Sequence, residues 1–155
     1  IEKLQYPREK DDTDTMLAVR QAIDRGFPRI EICCGMGGRV DHMIANLQTL
    51  AFAAEHGCEV SMTGEKNQIY MVKGAASLCL PRRKGWSLSL FSFSDVCRNV
   101  TIRGAKYSLE DGILTSRFPL GVSNEWRDET AEISLREGLL CVILSGPERE
   151  AGRES

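Results

Sequence analysis

The hydrophobic period of this chain changes once, near residue 65, and that change constrains the fold more than any other feature. Before it, helix-period segments alternate with strand-like ones. Residues 12–25 read as a helix capped by Asp12 or Thr13, with Met16, Val19 and Ile23 at helical spacing. Gly26 ends it, and Pro28 prevents its continuation. Residues 29–34 read as a strand, Gly35 to Gly38 as a tight turn, and residues 39–56 as a second helix. Val40, Met43, Ile44, Leu47, Leu50, Ala51 and Ala54 give that helix one apolar stripe. Residues 58–63 follow as another strand. Such β–α alternation predicts an open, partly parallel sheet.

After residue 65 no helix is expected. Strand-like runs occur at 68–73, 76–80, 86–93, 96–104, 112–118, 131–135 and 139–144, separated by Gly, Pro and Asn/Asp turns. Short strands of this kind predict an antiparallel sandwich. The run Leu139 to Leu144 is apolar on both faces and is expected in the middle of a sheet. The fold class is therefore α/β plus all-β: an α/β unit over 1–65, a β-sandwich over 66–145 and a polar tail over 146–155.

Twenty Lys and Arg stand against 22 Asp and Glu, so no global field favours nucleic acid or an anionic membrane. No apolar run approaches the roughly 20 residues of a membrane span. The chain opens on Ile1 without a charged-then-apolar leader, which leaves secretion unsupported and its native start open. The six cysteines form no C-x-x-C pair, and His42 and His56 lack zinc-finger spacing. Core thiols in a reducing, cytoplasmic setting are expected.

Two segments can carry chemistry. Lys10-Asp11-Asp12-Thr13-Asp14 sets three carboxylates at a helix start. They can serve the exposed helix donors, or they can hold Mg²⁺ against phosphates with hard oxygen ligands. Gly35-Met36-Gly37-Gly38-Arg39-Val40-Asp41-His42 joins a strand to a helix N-terminus, where backbone N–H groups offer an anion site. Its spacing is neither a P-loop nor a dinucleotide fingerprint, and the glycines can also serve only the turn. Arg39, His42 and Asn46 gather in one polar sector, whereas Asp41 falls near the stripe's other edge, from where, in the first helical turn, it can still reach a ligand at the helix tip. Arg39 supplies a planar fork for phosphate oxygens.

In order, these motifs resemble the thiamine pyrophosphokinase family, which shows an acidic Asp-x-Thr-Asp motif, then Gly-Arg-hydrophobic-Asp-His/Gln and a downstream Asn. Trp86-Ser87-Leu88 resembles the family's Ser-Leu strand, and Gly121-Val122-Ser123-Asn124-Glu125 its late Ser-Asn motif. The resemblance runs from about residue 6 to about 145. It implies that 1–65 is the C-terminal part of a Rossmann-like, ATP-binding catalytic domain and that 66–145 binds thiamine. It further implies transfer of pyrophosphate from ATP to the thiamine hydroxyl, in a homodimer with shared interface sites. Asp14 and Asp11 are implied Mg²⁺ ligands, and Asp14, Asp41 and Arg39 the catalytic residues. Thr13, Asp14, Arg39, Asp41, His42 and Asn46 are implied for the nucleotide, and Ser123, Asn124 and Trp126 for thiamine. Ser-Asn is also an ordinary β-turn choice, and Trp126 can be a rim aromatic packed on its own sheet. The family's upstream Gly-Asp-Phe-Asp-Ser motif is absent, so the chain is expected to lack a preceding half-domain. Lys10 stands where some members carry Gln. The alternatives are a non-catalytic nucleotide- or thiamine-binding module and a ligand-free interaction domain.

Overall fold

A computed structural model of the chain describes residues 12–147, so Lys10, Asp11 and the tail beyond Pro147 lie outside the described residues. The element order is α1 (Asp14–Asp24), β1 (Arg29–Cys33), α2 (Val40–Glu55), β2 (Glu59–Thr63), β3 (Asn67–Lys73), β4 (Ala76–Pro81), β5 (Ser87–Ser92), β6 (Val96–Arg103), β7 (Leu109–Thr115), β8 (Gly121–Asn124), β9 (Thr130–Leu135) and β10 (Leu139–Ser145).

Both expected helices form. Thr13 caps α1, its hydroxyl oxygen accepting from the Met16 N–H at 3.2 Å. The apolar stripe of α2 divides along its length. Leu50, Ala51, Ala53 and Ala54 are buried, whereas Val40 and Ile44 in the first turns are 73% and 52% exposed. That end of the helix stands proud of the described core because it leaves the sheet through the glycine turn. Helix α2 is the crossover between β1 and β2, which pair in parallel from Arg29↔Glu59 to Cys33↔Thr63.

The change of period at residue 65 marks a hairpin and not a break in the sheet. The Gly64 N–H bonds the Asn67 carbonyl at 2.8 Å, and β3 turns back antiparallel on β2. One mixed six-stranded sheet results, in the order β1-β2-β3-β10-β5-β8. A second sheet, four-stranded and antiparallel, runs β4-β9-β6-β7.

Strand β10 lies between β3 and β5, as its two-faced apolar pattern requires. Leu140, Val142 and Leu144 join a buried cluster drawn from both sheets. Leu139 and Cys141 face the opposite way, into a cluster with α1, α2, β2 and β3. Fully burying one such Leu or Val contributes about 1.5–3 kcal/mol, so a strand buried on both faces is worth far more than an edge strand of equal length. Burial pushes the Cys141 thiol up to about 12.

The registers place several chain segments at one end of the six-stranded sheet. Cys33 lies beside Thr63, Thr63 beside Gln68, and Asn67 beside Ser145. Ser145 in turn lies beside Ser87, and Leu88 beside Asn124. The glycine turn, the β2–β3 hairpin, the entry to β5 and the exit of β8 therefore share this end.

Candidate functional site

The glycine turn is held from below. Gly35 sits where a β-carbon would come within 2.6 Å of Met62 Sδ and 2.9 Å of Ile32 Cγ2, so only glycine fits this approach to the sheet. Cys34 has a positive φ of 60°, which reverses the chain as it leaves β1. From α2, Asn46 Nδ2 donates to the Gly35 carbonyl at 2.8 Å. Asn46 is half-buried and ties helix to turn. Gly37 and Gly38, both at positive φ, then lift the chain to the exposed Arg39.

At the tip, Arg39 is the N-cap residue of α2 but makes no side-chain cap. Its guanidinium forks onto Asp41, with Nε 3.1 Å from Oδ1 and Nη2 on Oδ2. Asp41 Oδ1 also accepts the His42 N–H at 2.9 Å. The Arg39 hydrogen bond holds the Asp41 carboxyl below the usual carboxylate range. The pair is 72% and 61% exposed, so solvent screens it and it holds the two side chains only weakly. Arg39 can therefore exchange this partner for a phosphate at little cost. His42 is exposed beside them.

Thr13 and Asp14 occupy the tip of the other helix, where the Thr13 hydroxyl serves as the cap. Asp12 is held by Arg20, Nη1 to Oδ2 at 2.7 Å. Among the described residues no three His, Cys, Asp or Glu side chains gather as metal ligands.

The late motif forms a second constellation. Asn124, 4% exposed, accepts at Oδ1 from the N–H groups of Tyr107 at 3.0 Å and Glu125 at 2.9 Å, and its Nδ2 donates to the Tyr107 carbonyl at 2.7 Å. These bonds fix the backbone of Tyr107, whose side chain stands 63% exposed with Lys106 Nζ 5.6 Å from the ring centroid. Ser123 is exposed, with a φ of 58°, and its N–H donates to Ser89 Oγ at 3.1 Å. Trp126 is placed otherwise than the ligand-stacking role expects. It is 7% exposed, belongs to the core shared by the two sheets, and donates its indole N–H to the Leu80 carbonyl at 3.1 Å. Both its polar handle and its faces are occupied. Tyr107 is the aromatic the motif presents outward, and sequence reasoning missed it. The only signal was an aromatic residue soon after Gly104.

One sizeable cavity does not coincide with either constellation. It measures about 610 Å³ and lies toward the other end of the sheet, lined by Arg29, Glu59, Tyr70 and Leu78 among others. None of the candidate site residues lines it, so the charged tips are the better candidate site.

Residues 1–62 match the family described as "Thiamin pyrophosphokinase, catalytic domain", and residues 77–140 match "Thiamin pyrophosphokinase, vitamin B1 binding domain". The chain is 30% identical over 141 residues to the thiamine pyrophosphokinase of Bacillus subtilis (strain 168), covering 90% of this chain and 65% of the relative. A crystal structure of thiamine pyrophosphokinase from Bacillus subtilis superposes with a TM-score of 0.83 at 28% identity, covering 91% of this chain and 66% of the other. A thiamin pyrophosphokinase family protein from Enterococcus faecalis gives a TM-score of 0.77 at 31% identity, covering 94% and 68%. The chain belongs to the thiamine pyrophosphokinase family, and it spans about 65% of the length of the curated relative it matches.

Proposed function

We propose that this chain carries out, as part of its complete polypeptide, the transfer of pyrophosphate from ATP to the thiamine hydroxyl, giving thiamine diphosphate and AMP. One observation carries the proposal. The segments matching the catalytic and vitamin B1 binding families share one sheet, and both the Arg39–Asp41 tip and the Asn124–Tyr107 corner stand at its common end.

In this reading the thiamine hydroxyl attacks the β-phosphorus of ATP. A new O–P bond forms, the bridge to the α-phosphate breaks, AMP leaves with the bridging oxygen, and the hydroxyl proton passes to solvent. Arg39 turns its fork from Asp41 to the phosphate oxygens, and the N–H groups of the turn and helix tip add further donors. Asp41 keeps Arg39 oriented between turnovers. Thr13 and His42 border the polyphosphate, and Asn46 holds the turn. Magnesium fits the donor set: it commonly takes one or two carboxylates together with substrate phosphates, and exposed Asp14 with Asp11 would supply them and so help neutralise the transferring charge. Ser123 and the remaining N–H of Asn124 address the aminopyrimidine, and Tyr107 offers its ring face.

The exposed apolar side chains support a homodimer with shared sites. Phe118, Leu120 and Val122 are 66%, 56% and 44% exposed on and just before β8, the strand that ends at Asn124. A second copy would cover them and bring its own tip to this corner. We place the protein in the cytoplasm, with ATP and thiamine as partners rather than nucleic acid or membrane. Among the described residues no helix is long and apolar enough to cross a membrane.

The test is AMP release by the full-length protein with thiamine and Mg²⁺-ATP. Wild-type protein should turn over, and Asp14→Asn should lower turnover roughly 10²–10³-fold with an unchanged melting curve, as loss of an electrostatic catalytic contact commonly does. Binding of both substrates without AMP release would refute the enzymatic reading.

A further inference from the structure

The β4–β5 connection carries Arg82, Arg83 and Lys84 in succession and then turns at Gly85, whose φ is 77°. It enters β5 at the same sheet end as the glycine turn. Behind it lies a cavity of about 390 Å³, lined by all three cations and by Trp86, Glu125 and Gly146 among others. This volume accommodates a diphosphate with its water. Of the residues that line it, only Glu125 and Trp126 figure in the constellations described above.

The cavity is more than a solvated charge run because its central cation is held in place. The Arg83 guanidinium lies over the Trp86 ring, 4.8 Å from the centroid, and Nη2 donates to Gln68 Oε1 on β3. The indole is fixed in turn: a β-carbon at Gly146 would lie 3.1 Å from its Cε2 and Cζ2. Arg83 thus presents a planar fork on a rigid floor, with little side-chain entropy left to lose on binding. Its neighbours are freer. Arg82 reaches Glu129 only at 3.7 Å, across an exposed pair, and Lys84 is exposed. The acid lining the cavity, Glu125, lies 3.6 Å from Lys106. Arg82, Arg83, Lys84 and Lys106 against Glu125 and Glu129 leave a local excess of positive charge.

We propose that Arg82, Arg83 and Lys84, set over Trp86, form a second phosphoryl-oxyanion site that takes a diphosphate, free or esterified. The site is distinct from the Arg39 tip, and it does not require the reaction proposed above. Arg83 supplies the fork, and Arg82 and Lys84 close on the anion from the loop. Since Trp86 is the floor, its emission reports occupancy directly.

The test uses the full-length protein carrying Arg39→Gln, which removes the guanidinium fork of the other candidate phosphate site. Inorganic pyrophosphate is titrated at fixed ionic strength while tryptophan emission is followed. Saturable binding is expected, and Lys84→Gln or Arg83→Gln should each weaken it roughly tenfold or more, the scale of one charge-assisted hydrogen bond. Lys84 is exposed, so Lys84→Gln remains informative even where Arg83→Gln perturbs the loop. Repeating the titration with thiamine diphosphate distinguishes the sources: tighter binding of the ester identifies a product-type ligand, and tighter binding of pyrophosphate identifies the free anion. The proposal is overturned if Arg39→Gln alone abolishes the response, if neither loop variant changes the affinity, or if sulfate binds as tightly as pyrophosphate.

Discussion

Replacing Asn46 by Ala separates a residue that holds the glycine turn from one that holds the nucleotide. In the structure its amide spends a hydrogen bond of 2.8 Å on the Gly35 carbonyl, in half-buried surroundings. A neutral hydrogen bond is worth a net ~0.5–1.5 kcal/mol, and leaving a buried acceptor unpaired costs about 1–3 kcal/mol. Gly35 cannot relax toward the sheet, because Met62 Sδ and Ile32 Cγ2 already stand where its missing β-carbon would be. The lost bond is therefore not recovered by settling of the turn, and the destabilisation should fall between about 1 and 3 kcal/mol. It should be present without any ligand. The assay is urea unfolding of the full-length protein, wild type against Asn46→Ala, first without ligands and then with saturating Mg²⁺-ATP. Activity should also fall, with most of the change in the KM for ATP, since the turn that carries Arg39 has lost its anchor. The reasoning is refuted if ligand-free stability is unchanged while ATP binding alone suffers. Asn46 would then act on the nucleotide, as the sequence resemblance implied.

Four further outcomes follow from the same geometry. Trp126→Phe should leave any thiamine-induced emission change intact while destabilising the protein through loss of the Leu80 bond, and Tyr107→Ala should raise the KM for thiamine; loss of the emission change in Trp126→Phe would return that indole to the ligand. Asp41 has its folded pKa lowered by Arg39, so the contribution of this contact is present above the unfolded carboxyl pKa and fades as pH falls through the folded value; in Arg39→Gln, carbon-detected NMR titration should find Asp41 moved up toward 3.8, and an unmoved midpoint would disprove the assigned cause. In native protein at pH 8 an alkylating reagent should modify exposed Cys33, Cys34 and Cys79 but not Cys141, whose thiol is pushed up to about 12 by burial; prompt labelling of Cys141 on peptide mapping would contradict its placement.

Some of this structure was legible because a local signal and the tertiary environment agreed. Thr13 and Gly26 bound α1 by cap chemistry that needs no partner element. The two-faced apolar run of β10 had to be central, since either face exposed would leave a row of Leu and Val in water. Strand β7 was misplaced for the opposite reason. Residues 112–118 look like the strand, yet it runs Leu109–Thr115. Glu110-Asp111-Gly112 has turn composition but forms a bulged stretch of strand, where Asp111 on β7 at a φ of 47° and Asn99 on β6 at 50° accompany the register shifts between the two strands. A bulge answers to the partner strand, and no window along one strand contains that partner.

The functional residues divide along the same line. Arg39 and Asp41 are close in sequence, yet helix geometry sets residues two apart on different faces; their fork forms because Arg39 is the N-cap, with an extended backbone (φ −81°, ψ 130°) outside the helical progression. Asn124 and Tyr107 are joined across 17 positions, and Asn124 is buried by contacts with a loop it cannot anticipate. Read alone, Ser123-Asn124 was a ligand pair or a turn; in the fold it ends strand β8, with Asn124 clamping the backbone that displays Tyr107. The reading that set Trp126 on the ligand rested on its nearness to Asn124 in sequence. After a strand, however, nearness by two positions places a residue on the same side only while the strand continues, and β8 stops at Asn124. Beyond that point the chain bends to bridge Ala105 with Trp126 and carries the indole into the core. Tyr107, remote in sequence, takes the exposed place instead. An aromatic residue for a ligand is better sought on whichever segment a buried amide clamps than among that amide's nearest neighbours in the chain.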